Sequence, residues 1–201
     1  MKIKRTSRGV LAILMIAGLA ALAQTQEQPK PKADVAHFVK DGLSFDYANG
    51  WEISDQSSPQ LQYLTLSKND YAEILVRSPR AQIDSQEKEA QAKQLIQDGF
   101  VQAWAKNFAD NGSKAESSPV SIEIAGGPAE GTRLSAVLDR DPGHVDVYWR
   151  LVGGRMVQLT ILGSDKQIKK SEEAWNTVRN SIQIEPPIVP RATPKSSKAK
   201  P

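Results

Sequence analysis

Asp139, Asp141, His144 and Asp146 form the densest group of chemistry-bearing side chains in the chain. Three carboxylates and an imidazole so close in sequence are donor types that suit a hard or borderline cation. Their spacing departs from a calcium loop, which takes acids at alternate positions, then a glycine and a distal glutamate. Asp141-Pro142-Gly143 lies between two alternating runs, and that is also what a hairpin turn requires. The expectation is therefore a solvated hairpin loop, with a cation site as the alternative. No metal ligand is assigned.

Other chemistries find less support. His37 and His144 are the two histidines, so a histidine-based hydrolase would need one of them beside a serine. No Gly-x-Ser-x-Gly elbow is present, and His37 falls at what reads as the frayed start of the folded part. Gly126-Gly127 lacks the lysine of a phosphate-cradling loop and opens no helix. Glu172-Glu173 and Asp139-Asp141 read as helix surface and loop, and nothing singles out a pair for glycoside chemistry. The absence of cysteine removes disulfides, thiolate metal sites, thiol nucleophiles and a lipid-modified cysteine. The sequence thus predicts no enzyme, no catalytic residue and no cofactor.

The elements that would position these residues are strands with two helical stretches. Leu43–Tyr47 alternates by two, Asn49-Gly50 turns the chain, and Trp51-Glu52-Ile53 resumes it. Trp51 is expected to be structural, its ring covering the end of a sheet. Leu61, Tyr63 and Leu66 mark a further strand, and residues 73–77 another. One helix is predicted over 86–110, with Asp84 and Glu87 as a capping box and Asn111-Gly112 as its stop. Its apolar stripe is Ala92, Leu95, Ile96, Gly99, Phe100, Ala103, Trp104 and Phe108, read as core packing on a sheet. Three alternating runs follow: Val120-Ile122-Ile124, Leu134-Ala136-Leu138 and Val145-Val147-Trp149-Leu151. Gly153-Gly154 predicts a two-residue hairpin, because both central residues need positive φ, and Val157, Leu159 and Ile161 return. Ser164 with Gln167 caps a last helix whose buried stripe is Ile168, Trp175, Val178 and Ile182. The fold class is α+β: an antiparallel sheet flanked by two amphipathic helices.

The ends read differently. Lys2, Lys4, Arg5 and Arg8 precede an apolar run from Val10 to Leu22 that closes on Ala21-Leu22-Ala23. This is the three-part layout of a secretory signal peptide, too short to span a bilayer core. The expectation is cleavage over 1–23, a mature start at Gln24, and a secreted or periplasmic protein. Residues 24–35 read as a Gln/Pro/Lys linker, 36–185 as the domain, and 186–201 as a disordered Pro/Lys-rich tail. The formal charge is +3, but the leader and the tail carry four bases each, and without those eight the remainder carries −5. A mildly acidic domain disfavours nucleic acid. The basic tail allows only weak contact with an anionic membrane surface.

Asp41-Gly42-Leu43-Ser44-Phe45-Asp46-Tyr47-Ala48-Asn49-Gly50-Trp51 resembles the opening gly–phe–x–tyr–pro–x–gly–trp motif of PsbP-like and DcrB-like proteins, with Ala48 where proline is usual. Gly153–Thr160 resembles that superfamily's penultimate hairpin, and Trp175 through Ile182 its closing helix. The resemblance implies an α/β/α sandwich and a binding or assembly role, as in the photosystem extrinsic protein and bacterial envelope proteins. It implies no site residue. The functional expectation is an exported, non-catalytic module that binds another envelope protein. The alternative is a small-molecule or cation-binding periplasmic protein, or a hydrolase. Convergent polar residues on the inward strand faces would favour the alternative; those faces read Val, Leu, Ile and Trp.

Overall fold

Alternation of apolar residues builds most of the strands, and their register decides which faces are covered. The structure, a computed structural model, describes residues 34–138 and 140–185. The predicted leader, residues 24–33 of the predicted linker, Asp139 and the predicted tail lie outside the described residues.

The strands are β1 (Val35–Lys40), β2 (Leu43–Ala48), β3 (Glu52–Asp55), β4 (Leu61–Ser67), β5 (Glu73–Pro79), β6 (Glu116–Ile124), β7 (Gly127–Leu138), β8 (Asp141–Val152), β9 (Arg155–Ser164) and β10 (Gln183–Ile184). The helices are α1 (Gln86–Ala92), a π-helical segment (Lys93–Asp98), α2 (Gly99–Asp110), α3 (Asp165–Lys170) and α4 (Glu172–Ser181). Seven strands pair in the order β3-β4-β5-β9-β8-β7-β6, and β1-β2-β10 form a smaller sheet. Every pairing is antiparallel. The α+β class expected from the sequence is what the strands build.

β9 sits between β5 and β8, and both of its faces are buried. Val157, Leu159 and Ile161 join Leu43, Phe45, Ile74, Val76, Trp175 and Val178 in the larger core. On the opposite face of the sheet, Leu134, Val145 and Val147 pack against Phe100, Trp104 and Phe108 of α2. The helices therefore cover both faces, as the resemblance implies, but α3 and α4 share their face with the three-stranded sheet. That second sheet was not expected. Val35, assigned to the linker, opens β1, and His37 is paired across it with Asp46 at 2.6 Å rather than fraying.

The predicted single helix over 86–110 is interrupted. Its cap is Ser85, whose Oγ accepts from Lys88 N at 3.3 Å, not Asp84. The π segment holds one residue more per turn, so a stripe drawn at α spacing falls out of phase. Leu95 turns outward at 76% exposure, Ala103 is exposed too, and Gln97 is buried in their place. Gln97 Nε2 donates to Val147 O at 2.9 Å and its Oε1 accepts from Gln158 Nε2 at 2.7 Å. Leu95→Lys is expected to leave stability within about 0.5 kcal/mol, the range for open surface positions, with the urea midpoint as the check. A large loss would restore Leu95 to the core.

The hairpin at Gly153-Gly154 has φ of +55° and +78°, as the turn requires. Ser164 and Gln167 form the full capping box of α3. The chain breaks at Ser171 into α4, because Ser171 Oγ bonds back to Gln167 O at 2.8 Å and accepts from Ala72 N at 2.9 Å.

A candidate ligand cleft between beta7, beta8 and alpha3

Asp141-Pro142-Gly143 does not turn the chain. The β7–β8 hairpin closes earlier, between the paired Leu138 and Asp141, where Arg140 has φ of +79°. Asp141, Pro142 and Gly143 already pair with Leu138, Val137 and Ala136. β9 ends at Ser164 opposite Gly143, so Pro142 has only β7 beside it and its missing N–H costs no bond. Gly143 serves close approach instead: a Cβ there would lie 2.5 Å from Gly163 O and 2.8 Å from Ser164 Cα.

With the hairpin moved, His144 and Asp146 belong to the strand and not to a solvated loop. On β8 the residues Val145 and Val147 face α2, so His144, Asp146 and Tyr148 point to the other face, under α3 and α4. Arg133, opposite Asp146 on β7, points the same way. Arg133 Nε and Nη2 donate to the two Asp146 oxygens at 2.6 and 2.7 Å, and Tyr148 OH donates to Oδ2 at 2.9 Å. Asp146 is 4% exposed, so the carboxylate is held by charge-assisted bonds in place of water. The bond to Asp146 raises the Arg133 guanidinium above its ordinary value. Burial, then the Asp146 charge, pushes the Tyr148 phenol well up from its own.

His144 is 12% exposed. Its Nδ1 lies 2.9 Å from Asp165 Oδ1 at the start of α3, while Nε2 lies 3.8 Å from Asp146 Oδ2, buried and without a hydrogen-bond partner. Ser135 stands opposite His144 on β7, so serine, histidine and aspartate are brought together. A hydrolase would need the serine on the second imidazole nitrogen, and that nitrogen bonds to nothing. Among the described residues no three His, Asp or Glu side chains converge to hold a metal.

These side chains line a cleft of about 620 Å³. Tyr148 and Trp175, with ring centroids 6.0 Å apart, form its apolar floor with Ile161 and Ile168. Exposed Ser135, Pro142, Asp165, Lys169 and Glu172 rim its mouth. Calcium, magnesium and zinc are each expected to leave the melting temperature unchanged. A bound cation at a hundred times its dissociation constant would add about 2.7 kcal/mol. Asp146 already accepts three hydrogen bonds and Asp165 is engaged by His144. A shift with one cation that disappears in Asp141→Ala would instead establish a metal site.

Three solved structures are similar in fold. The cyanobacterial PsbP of Synechocystis is 15% identical, with 79% of this chain and 96% of that chain covered and a TM-score of 0.47. A Pseudomonas aeruginosa protein of unknown function is 15% identical, with 79% and 99% covered and a TM-score of 0.34. The type VI secretion immunity protein TplEi of Pseudomonas aeruginosa, solved with a peptide, is 16% identical, with 79% and 57% covered and a TM-score of 0.37. The chain matches no protein-family model and no curated protein. The α+β assignment rests on the strand order and registers described above.

The sequence reading named His144 and Asp146 but missed Arg133, Tyr148 and Asp165 as their partners. It also took the covered strand faces to be wholly apolar. The signal was the second face of β8, where His144, Asp146, Tyr148 and Arg150 recur at every other position. Such a polar stripe reads as solvated when only one face of a sheet is covered. Here helices cover both.

Proposed function

We propose that this is an exported binding module, without catalysis of its own, that holds a segment of another envelope protein in the cleft beside α3. The cleft carries the reading: its polar groups are locked in place before a ligand arrives, and its floor is aromatic. Preorganised polar anchors over an apolar base are the usual composition of a binding site, because little ordering entropy remains to be lost. The basic leader and its apolar run support export. The small size of the cleft keeps a small-molecule ligand as the second reading, one that uses the same residues.

The test is site-specific photocrosslinking in the envelope. A benzophenone amino acid at Ser135, exposed at the rim, is expected to yield a discrete adduct with a second protein. The same group at Lys106, exposed on α2 across the sheet, is expected to yield none. Equal labelling from both sites, or none from Ser135, would remove the segment-binding reading. N-terminal sequencing of the envelope protein is expected to begin at Gln24, and a start at Met1 in the cytoplasm would remove export.

A further inference from the structure

Resting on the reading of the cleft as a binding site, we infer that it takes a carboxylate carried on an aromatic or aliphatic body, with Arg133 as the anchor. Asp146 occupies one edge of the guanidinium, through Nε at 2.6 Å and Nη2 at 2.7 Å. Nη1 has no hydrogen bond to another described residue, and the Arg133 side chain is 37% exposed at the cleft. The edge formed by Nη1 and Nη2 is therefore presented outward. Its orientation is fixed by a carboxylate that Tyr148 in turn holds. A planar fork with one edge clamped matches a second carboxylate through its other edge at little further ordering cost.

The charges decide between an anionic and a cationic ligand. Both oxygens of Asp146 are engaged by donors, and Asp165 is engaged by His144, so the depth of the cleft offers a cation no unspent acceptor. It does offer an anion spare donors on Arg133, with Lys169 at the rim. Glu172 and Asp165 on the helix side limit the site to one anionic group per ligand. The Tyr148–Trp175 floor receives the apolar body that bears it. Such a carboxylate comes either from the C-terminus of a peptide or from a small organic acid.

Four probes separate these cases in solution by following the Trp175 indole and Arg133 Nε–H signals of the full domain by NMR. They are N-acetyl-phenylalanine, its amide, an N-acetylated Gly-Ser-Gly-Ser-Gly-Phe hexapeptide acid, and that peptide's amide. Both acids are expected to shift the two signals, and each amide is expected to bind at least about tenfold more weakly, the loss of a charge-assisted pair. An acid and its amide that bind equally overturn the carboxylate anchor while leaving the cleft a binding site. No shift with any probe overturns the anchor and the cleft reading together. A hexapeptide acid that binds more tightly than N-acetyl-phenylalanine supports a peptide C-terminus as the source. Equal binding of the two acids supports the anchor and overturns the protein-segment reading. Arg133→Lys keeps a charge for Asp146 without the fork and is expected to weaken the acids about tenfold, with unchanged melting as its control. Undiminished binding there overturns the anchor. Where that variant unfolds, the acid–amide comparison on the native protein still decides.

Discussion

Trp51→Ala is expected to lower the stability of the domain by roughly 3–5 kcal/mol, the range for emptying a buried aromatic site. A domain of this kind has about 5–15 kcal/mol in total, so the variant loses about a fifth of its stability or more. Asn49-Gly50 does not lead into a hairpin. It hands the chain from β2 in the small sheet to β3 in the large one, and Trp51 is the residue at the crossing. Its ring is 7% exposed within the main core and meets Tyr71 edge-on, with centroids 5.5 Å apart. Tyr71 lies in turn under Lys170 Nζ at 4.2 Å and Lys68 Nζ at 5.0 Å. Removing the indole leaves a void between the sheets and strips Tyr71 of its apolar neighbour. Neighbours held on paired strands cannot close the gap without breaking sheet register. Urea unfolding should show a lower midpoint with an unchanged slope, and Trp51→Phe should recover much of the loss. An unchanged midpoint in Trp51→Ala would place the ring outside the core.

The sequence expectation for Trp51 was right in kind and partial in place, and other residues divide along the same line. Local rules were legible wherever one residue type answers one backbone demand. Gly153-Gly154 needs positive φ and has it, and Ser164 with Gln167 closes a reciprocal cap. Period-two runs were legible too, since apolar alternation identifies a strand without its neighbours. Contingent features were hidden. β1 shows no strand pattern in the sequence, and its first residue reads as linker, because Val35, His37 and Val39 are exposed; its identity as a strand comes from pairing with β2. The π segment breaks a helical stripe at no distinctive residue, and only the buried Gln97 marks it afterwards. Asp-Pro-Gly carries turn chemistry, yet it sits past the turn, because Asp141 is already paired with Leu138. The cleft suffered from the same dependence on long-range order. Asp146 and Arg133 are thirteen residues apart, and nothing local in either strand announces that they meet.

Arg155→Met is expected to cost about 3–4 kcal/mol, for a reason opposite to that at Trp51: acceptors lose their donor, and no void is opened. Arg155 opens β9 and its residue exposure is 4%. Nε donates to Pro79 O at 3.0 Å, Nη1 to Asp41 O at 3.1 Å, and Nη2 to Ser78 O at 3.2 Å and to Gln62 Oε1. One side chain thereby joins the start of β9 to the end of β5, to the β1–β2 turn and to β4. All four acceptors are neutral, and the Asp41 carboxylate offsets the charge only in small part. Burial lowers the guanidinium from its ordinary value, and the neighbouring Arg80 adds to that. Methionine keeps much of the stem's volume but donates nothing. Buried carbonyls left bare cost about 1–3 kcal/mol each, and the relief of desolvating a cation offsets only part of that. Lysine should not rescue the variant, since a single ammonium on a flexible stem cannot serve acceptors spread over three elements. Hydrogen exchange should localise the damage: the Glu185 amide, bonded to Gly42 O at 2.8 Å, should lose protection before the amides of β8. A midpoint equal to that of the native protein would mean that water serves these carbonyls as well as Arg155 does. The sheet ends would then be joined by apolar packing alone.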